Sequence, residues 1–226
     1  MTYLTSLGYG VEDYIMMFDL TEVELDRSIL DCHPGVSIFT EEMDLSRHNV
    51  VATDPLYQQP VEVIRQVVLK AQAQLIEEVE QHGERYHYSV SELKEKLEQR
   101  LVRIERFLSD LPKGMAEGRY HTDALPNLKS FQKEHFDLAL VHHHLFSENQ
   151  SLSFHLQSIE ELSRVANEVR IFPLVGPNGE LSQFVGEIVA TLQLKGLGAE
   201  LRGVPFHFQK KGNAMLRVWN QRCTVK

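Results

Sequence analysis

Two short apolar runs, each closed by an aspartate, set the tightest limit on the fold: "SILD" at 28–31 and "NVVATD" at 49–54. Runs of this length, bounded by acids and turn formers, read as buried strands, and Pro55 stops the second. Between them Ser37 to Arg47 can supply one helix. Strand, helix and strand in so few residues make a parallel crossover unit, which needs helices on both faces of its sheet. The first run passes into "DCHPGVSIF", which resembles a nucleotide-binding turn but holds a single glycine, Gly35.

Residues 61 to 110 interrupt this rhythm, because they can hold two helices where one would connect the strands. Ile64, Val67, Val68, Ala71, Leu75 and Val79 share one face; Leu93, Leu97, Leu101, Ile104 and Leu108 share another, entered by Ser89 and Glu92 at capping-box spacing. "QHGERYHY" is the hinge. The expectation is one domain over residues 1–226 with a helical hairpin inserted at about 61–112, packed on the sheet edge or lying over the ligand end. The alternation resumes with "GRYHTDA", "FDLALVH", "EVRIFPL", "GAELRGVPFHF" and "AMLRVWN" as strands. Helices are expected around Leu156 to Asn167 and Leu181 to Lys195, the latter stopped by Gly196. The last two strands leave no room for a helix between them, so they form an antiparallel hairpin. The fold class is therefore α/β: a Rossmann-like, mostly parallel sheet with helices on both faces and the last strand antiparallel.

With 226 residues and 42% hydrophobic content the chain can bury roughly 70% of its unfolded surface. A net charge of -9 disfavours nucleic acid as a partner, because such affinity rests on clustered Lys and Arg. Cys32 and Cys223 match neither a disulfide framework nor a paired metal spacing and read as reduced thiols. The N-terminal "MTYLTSLGYGVEDY" lacks signal-peptide character, and no segment approaches the ~20 apolar residues of a membrane span, so a cytoplasmic location is expected.

In an open parallel sheet, ligands bind beyond the carboxyl ends of the strands, where acids closing consecutive strands face one crevice. Asp31, Asp54 and Asp123 each occupy such a place. A carboxylate after the second strand can accept from the vicinal hydroxyls of a ribose, each such bond being worth ~1.5–3 kcal/mol. Any one of these acids could equally cap its own turn; three in register favour a ligand site.

These stretches resemble the class I S-adenosylmethionine-dependent methyltransferases over nearly the whole chain. "ILDCHPGVSIF" looks like their first motif, "NVVATDPLY" like the second-strand acid segment, and "DALPNL" like the stretch after the third strand. "FDLALVHHHLF" resembles the fourth strand and its loop, and the terminal hairpin fits their seven-stranded sheet with one antiparallel strand. "YIMMFDL", "EVRIFPL" and "FQKKGNAML" resemble a bacterial branch of that family. The resemblance implies S-adenosylmethionine as cofactor. Asp31, Cys32, His33, Gly35 and Ser37 would wrap its methionine part and sugar, and Asp54, followed by Pro55, would hold the ribose hydroxyls. Leu56 would lie against the adenine, Asp123 would accept from its amino group, and Ala124 and Leu125 would flank the ring. His142 would stand near the methyl group, while Tyr14, Met17 and Phe18 would close over the cofactor from the N-terminus.

The chain departs from the family pattern at His33, where a small residue or glycine is usual. If that position needs positive φ, the side chain costs roughly 1–2 kcal/mol, and the imidazole would also take up cofactor space. Pro34, in contrast, biases His33 toward an extended conformation. In "VHHHLF", strand alternation lets His142 and His144 converge but not His143, and no second cluster supports a metal. His142 or His143 as a general base suits an unperturbed pKa near 6.5; the alternative is a polar loop lining the crevice.

The resulting expectation is an enzyme that transfers a methyl group to a small-molecule acceptor, with no membrane or metal partner and with oligomeric state open. The Asp/Asn-Pro-Pro-Tyr signature of base methylation is absent, since the matching place reads "VHHHLF". The alternative is a non-catalytic descendant that keeps the fold as a binding or interaction module. A nicotinamide dehydrogenase ranks below both, for want of a GxGxxG turn.

Overall fold

The computed structural model describes residues 8–147 and 149–221, so Cys223 lies outside the described residues. Seven strands form one sheet: β1 (Ile29–Cys32), β2 (Val50–Thr53), β3 (Tyr120–His121), β4 (Phe136–His142), β5 (Ala166–Phe172), β6 (Leu197–Gly203) and β7 (Ala214–Asn220). Their order is β3-β2-β1-β4-β5-β7-β6. β1 to β5 pair in parallel, and β7 is antiparallel to both β5 and β6. The strand direction reverses only at the terminal hairpin, where no helix intervenes, so the fold is Rossmann-like with its last strand antiparallel.

Two apolar layers cover the sheet because successive side chains on a strand point to opposite faces. Leu30, Ala139 and Val141 join one core together with α6 (Leu152–Val165) and α7 (Val185–Leu194). Ile29, Leu138 and Leu140 join the other, covered by α1 (Val11–Phe18) and α3 (Phe39–Leu45). Gly196, at φ +81°, ends the turn after α7 as its position suggests.

Between β2 and β3 run α4 (Val61–Gln81) and α5 (Val90–Glu117). Ser89 and Glu92 form the capping box that their spacing implied. α5 continues past the expected boundary near 112, carrying Pro112 inside it, and stops at Gly118, whose φ of +78° is left-handed. Gly114 explains the extension: a Cβ there would lie 2.3 Å from the Tyr120 ring, so its absence lets the last turns of α5 press against β3. At the other end of the pair, the hinge reaches the loop between β6 and β7, where Arg85 C=O accepts from Lys210 N–H at 2.8 Å and His87 N–H donates to Phe208 C=O at 3.0 Å. The end of α5 therefore packs on the edge strand β3, while the hinge of the pair meets the β6–β7 loop.

Arg170 on β5 is 1% exposed and ties the N-terminal segment to the sheet. It donates to Glu168 at 2.7 Å and to Phe18 C=O at 2.8 Å, and it also pairs with Glu24 of the short helix α2 (Glu22–Leu25). Burial alone would raise the Glu24 pKa, but the Arg170 and Thr21 bonds overcome it and bring the carboxyl down to about 2. A depressed carboxyl stabilises the fold fully above its ordinary value of 4.5 and loses that contribution as pH falls toward 2. Arg170→Met should cost about 1–3 kcal/mol in urea denaturation at neutral pH, because it takes the main partner from Glu24 and this donor from Phe18 C=O, while Glu168 keeps Arg217. Its deficit should shrink on acidification through that window; a deficit that does not change with pH would contradict the ion-pair account.

Candidate functional site

The tips of β1, β2 and β3 are adjacent, with Cys32 level with Thr53 and Thr53 level with His121. This register places Asp31, Asp54 and Asp123 close enough that all three charges act on the Cys32 thiol, which burial first and these acids second push up. Their carboxylates nevertheless have different partners. Asp31 accepts from Tyr14 Oη at 2.8 Å, and its Oδ1 has no hydrogen-bond partner among the described residues. Asp54 accepts from Gly35 N–H at 2.9 Å and Leu56 N–H at 2.8 Å, which fastens the turn after β1 to the turn after β2. Asp123 is half-buried and accepts from Ser130 N–H at 3.0 Å, within its own loop. Asp54 and Asp123 cap their own turns, as their local sequence allowed, whereas Asp31 is held by Tyr14 alone.

Gly35 takes φ +61° at the heart of the first turn. His33 does so too, at +56°, so the extended conformation expected from Pro34 is not adopted. Two contacts offset the strain. Leu125 N–H donates to His33 Nε2 at 3.0 Å, and the imidazole lies flat on His144, with centroids 3.9 Å apart and planes 2° from parallel. The imidazole therefore bridges the β1 and β3 tips beside the β4 loop. Ala124, half-buried, and Leu125 sit at the same place, and Leu56 follows Pro55 in a short 3-10 turn. The Cys32 side chain packs in the core, leaving its backbone at the turn. Ser37 donates to Tyr9 C=O at 3.0 Å and so holds the N-terminal segment rather than facing outward.

A buried chain of polar groups runs from Asp31. Tyr14 Oη lies 2.7 Å from His142 Nε2, and His142 Nδ1 lies 3.2 Å from His143 Nδ1. With Asp31 ionised, the proton pattern closes only one way: Tyr14 donates to Asp31, His142 Nε2–H to Tyr14, and His143 Nδ1–H to His142. A proton on Asp31 Oδ2, the oxygen that faces Tyr14, lets every one of these bonds run the other way, whereas one on Oδ1 leaves them unchanged. Met17 and Phe18 are fully buried beside Tyr14, whose ring stacks on Phe39 at 4.0 Å. The strand alternation expected through the three histidines ends at His142, because β4 ends there and His143 turns left-handed at φ +51°. His142 and His143 consequently meet, and His144 goes to His33.

Burial sets the titration of this chain. It pushes the Asp31 carboxyl well above its ordinary value, with the Tyr14 bond opposing and the Asp54 charge adding. It raises Tyr14, helped by the Asp31 charge. Burial and then His144 bring His142 down to about 3, and burial, His142 and Arg100 hold His143 well below its usual range. Both histidines are therefore neutral at neutral pH, and the unperturbed value that recommended them as bases does not apply.

Sequence reasoning missed Tyr9 and Tyr57. Tyr9 is fully buried, stacks on His143 at 5.5 Å and lies under the Arg100 guanidinium at 4.4 Å. Tyr57 donates to Gly35 C=O at 3.0 Å and locks the turn from its other side. A tyrosine two residues after a strand-closing proline carries no pattern that predicts such a bond. Among the described residues, no group of three or more His, Cys, Asp or Glu side chains is placed to hold a metal, and no helix is long and apolar enough to cross a membrane.

No protein-family model matches the chain. An uncharacterised protein of Methanocaldococcus jannaschii is 29% identical over 220 residues, covering 94% of each chain. That relative is archaeal, so the likeness is not confined to the bacterial branch suggested by the sequence. Among solved structures, a methyltransferase from Burkholderia thailandensis with bound 1,6-didemethyltoxoflavin and S-adenosylhomocysteine has a TM-score of 0.46 and 13% identity, covering 97% of this chain and 80% of its own. An S-adenosylmethionine-dependent methyltransferase from Aquifex aeolicus has a TM-score of 0.44 and 13% identity, covering 92% and 91%.

The raised Asp31 pKa has a measurable sign. A carboxyl raised in the fold stabilises it fully below its ordinary value of 3.8 and loses that contribution as pH rises through the folded value. Asp31→Asn should therefore melt higher than the parent at and above neutral pH, with the gap closing toward about pH 4. A variant that melts lower across the whole range would show that the ionised carboxylate is a net stabiliser.

Proposed function

We propose that the protein is an S-adenosylmethionine-dependent methyltransferase acting on a small-molecule acceptor, with residues 8–221 working as one unit. The observation that carries this reading is the unpartnered, fully buried Oδ1 of Asp31 beside the left-handed Gly35 turn. A buried carboxylate oxygen without a donor is costly, and an ammonium group removes that cost. The methionine amine is such a group.

The other residues fit the same cofactor. Asp54 accepts from the backbone of both strand-tip turns, so its carboxylate is fixed at the place where ribose hydroxyls would need an acceptor. Leu125 N–H is a donor suited to a ring nitrogen, and His144 is a flat surface suited to stacking; at present His33 takes both. Adenine binding would swing His33 out. When bound, the cofactor supplies a sulfonium methyl that is already activated for displacement. The chain's task is then mainly alignment, worth up to ~7–11 kcal/mol in well-oriented systems. Tyr14, His142 and His143 would act by positioning and by excluding water, since the neutral histidines are weak bases in this arrangement.

The same His33 contacts favour a second reading, a non-catalytic binding or interaction module whose own imidazole fills the adenine place. Calorimetric titration with S-adenosylhomocysteine separates the two. The parent should bind, and His33→Gly should bind about five- to tenfold tighter, the equivalent of one displaced hydrogen bond and stack. Absence of binding by both proteins at millimolar ligand would overturn the methyltransferase reading in favour of the module.

A further inference from the structure

A recess opens at the carboxyl end of the sheet, away from the buried acid chain. It has a volume of about 720 Å³, within the size range of small-molecule pockets, and lies between the β4–α6 loop and the β5–α7 loop. Phe146 and Phe184 line it together with His155 of α6, and Asn178, Ser182 and Gln183 add polar groups. His155 is 1% exposed. Its Nδ1 lies 2.7 Å from Ser151 C=O, an acceptor, so Nδ1 holds a proton, and in the tautomer with that proton alone Nε2 is the acceptor of the ring. That Nε2 is buried and has no hydrogen-bond partner among the described residues. The rings of Phe146 and Phe184 stand 4.9 Å and 5.6 Å from the imidazole.

We propose that this recess is a binding site for a neutral aromatic small molecule carrying an O–H or ring N–H, with His155 Nε2 accepting that hydrogen. The aromatic walls supply the apolar contact. The charge of the recess supports neutrality: Arg85 is its one permanently charged residue among the described lining, and it pairs with Glu78 and Glu84. Chemistry selects the donor, because a buried lone pair facing an apolar molecule stays unsatisfied, whereas one facing a hydroxyl does not. The site is argued from its own residues and stands whether or not the chain binds S-adenosylmethionine.

Phenol and indole are the probes, with anisole as the ring that lacks a donor, each titrated into the full chain without cofactor while the imidazole nitrogen signals of His155 are followed by NMR. Phenol or indole should bind saturably, move the His155 signals, and bind about fivefold or more tighter than anisole. Leu181→Trp, at a 58% exposed position on the recess wall, should weaken both probes without disturbing the core. His155→Phe should erase the preference over anisole. Failure of both probes to saturate, equal affinity for anisole, or indifference to Leu181→Trp would each overturn the proposal.

Discussion

The hydroxyl of Tyr14 has one proton and two strong neighbours, Asp31 at 2.8 Å and His142 at 2.7 Å, and the crevice is arranged around that shortage. Tyr14 belongs to α1, Asp31 to β1 and His142 to β4, so three elements distant in sequence meet at one oxygen. The ring of the same tyrosine lies on Phe39 at the start of α3, which follows the glycine turn. All of these side chains are fully buried. The bonds are correspondingly strong and the unpartnered oxygen of Asp31 correspondingly costly.

Arg170 and Asp54 extend this arrangement in two directions. Arg170 holds the chain just after α1 against β5, so Tyr14 is positioned from below by an ion pair as well as by packing. Asp54 ties the β1 turn to the β2 turn through Gly35 and Leu56, and Tyr57 closes the same turn from the far side. The glycine turn is thus held by bonds to its backbone, which leaves the conformation of its side chains to be decided by neighbours across the crevice.

The sheet was legible because its strands are short apolar runs ending in acids or turn formers, a pattern set by burial on both faces. The helices were legible from stripes such as Leu93, Leu97 and Leu108, all buried in α5. The end of α5 was not, since Pro112 usually argues for a stop, and the close approach of Gly114 to Tyr120 is a tertiary fact. Placing Asp31, Asp54 and Asp123 on neighbouring tips needed only strand order. The bonds of Asp54 to Leu56 and of Asp123 to Ser130 are local caps of the kind the sequence allowed, whereas those of Asp31 to Tyr14 and of Asp54 to Gly35 join segments distant in sequence and carry no local pattern. His155 gave no signal either: it sits on the apolar face of a helix with Ile159 and Leu162, where a lone histidine ordinarily packs.

His33 and His143 both carry positive φ without being glycine, each at a cost of roughly 1–2 kcal/mol, and both lie at tips of the paired strands β1 and β4. Against a total stability of about 5–15 kcal/mol that is a sizeable fraction. It persists because each strained residue has contacts of its own: His33 rests on His144 and takes Leu125 N–H, while His143 meets His142 and stacks on Tyr9. On the proposed reading, adenine would replace the first pair of contacts while the backbone strain at His33 stayed. Its binding energy would then be diminished by whatever His33 gave up, so the chain's own imidazole would count in that affinity alongside the acids around it.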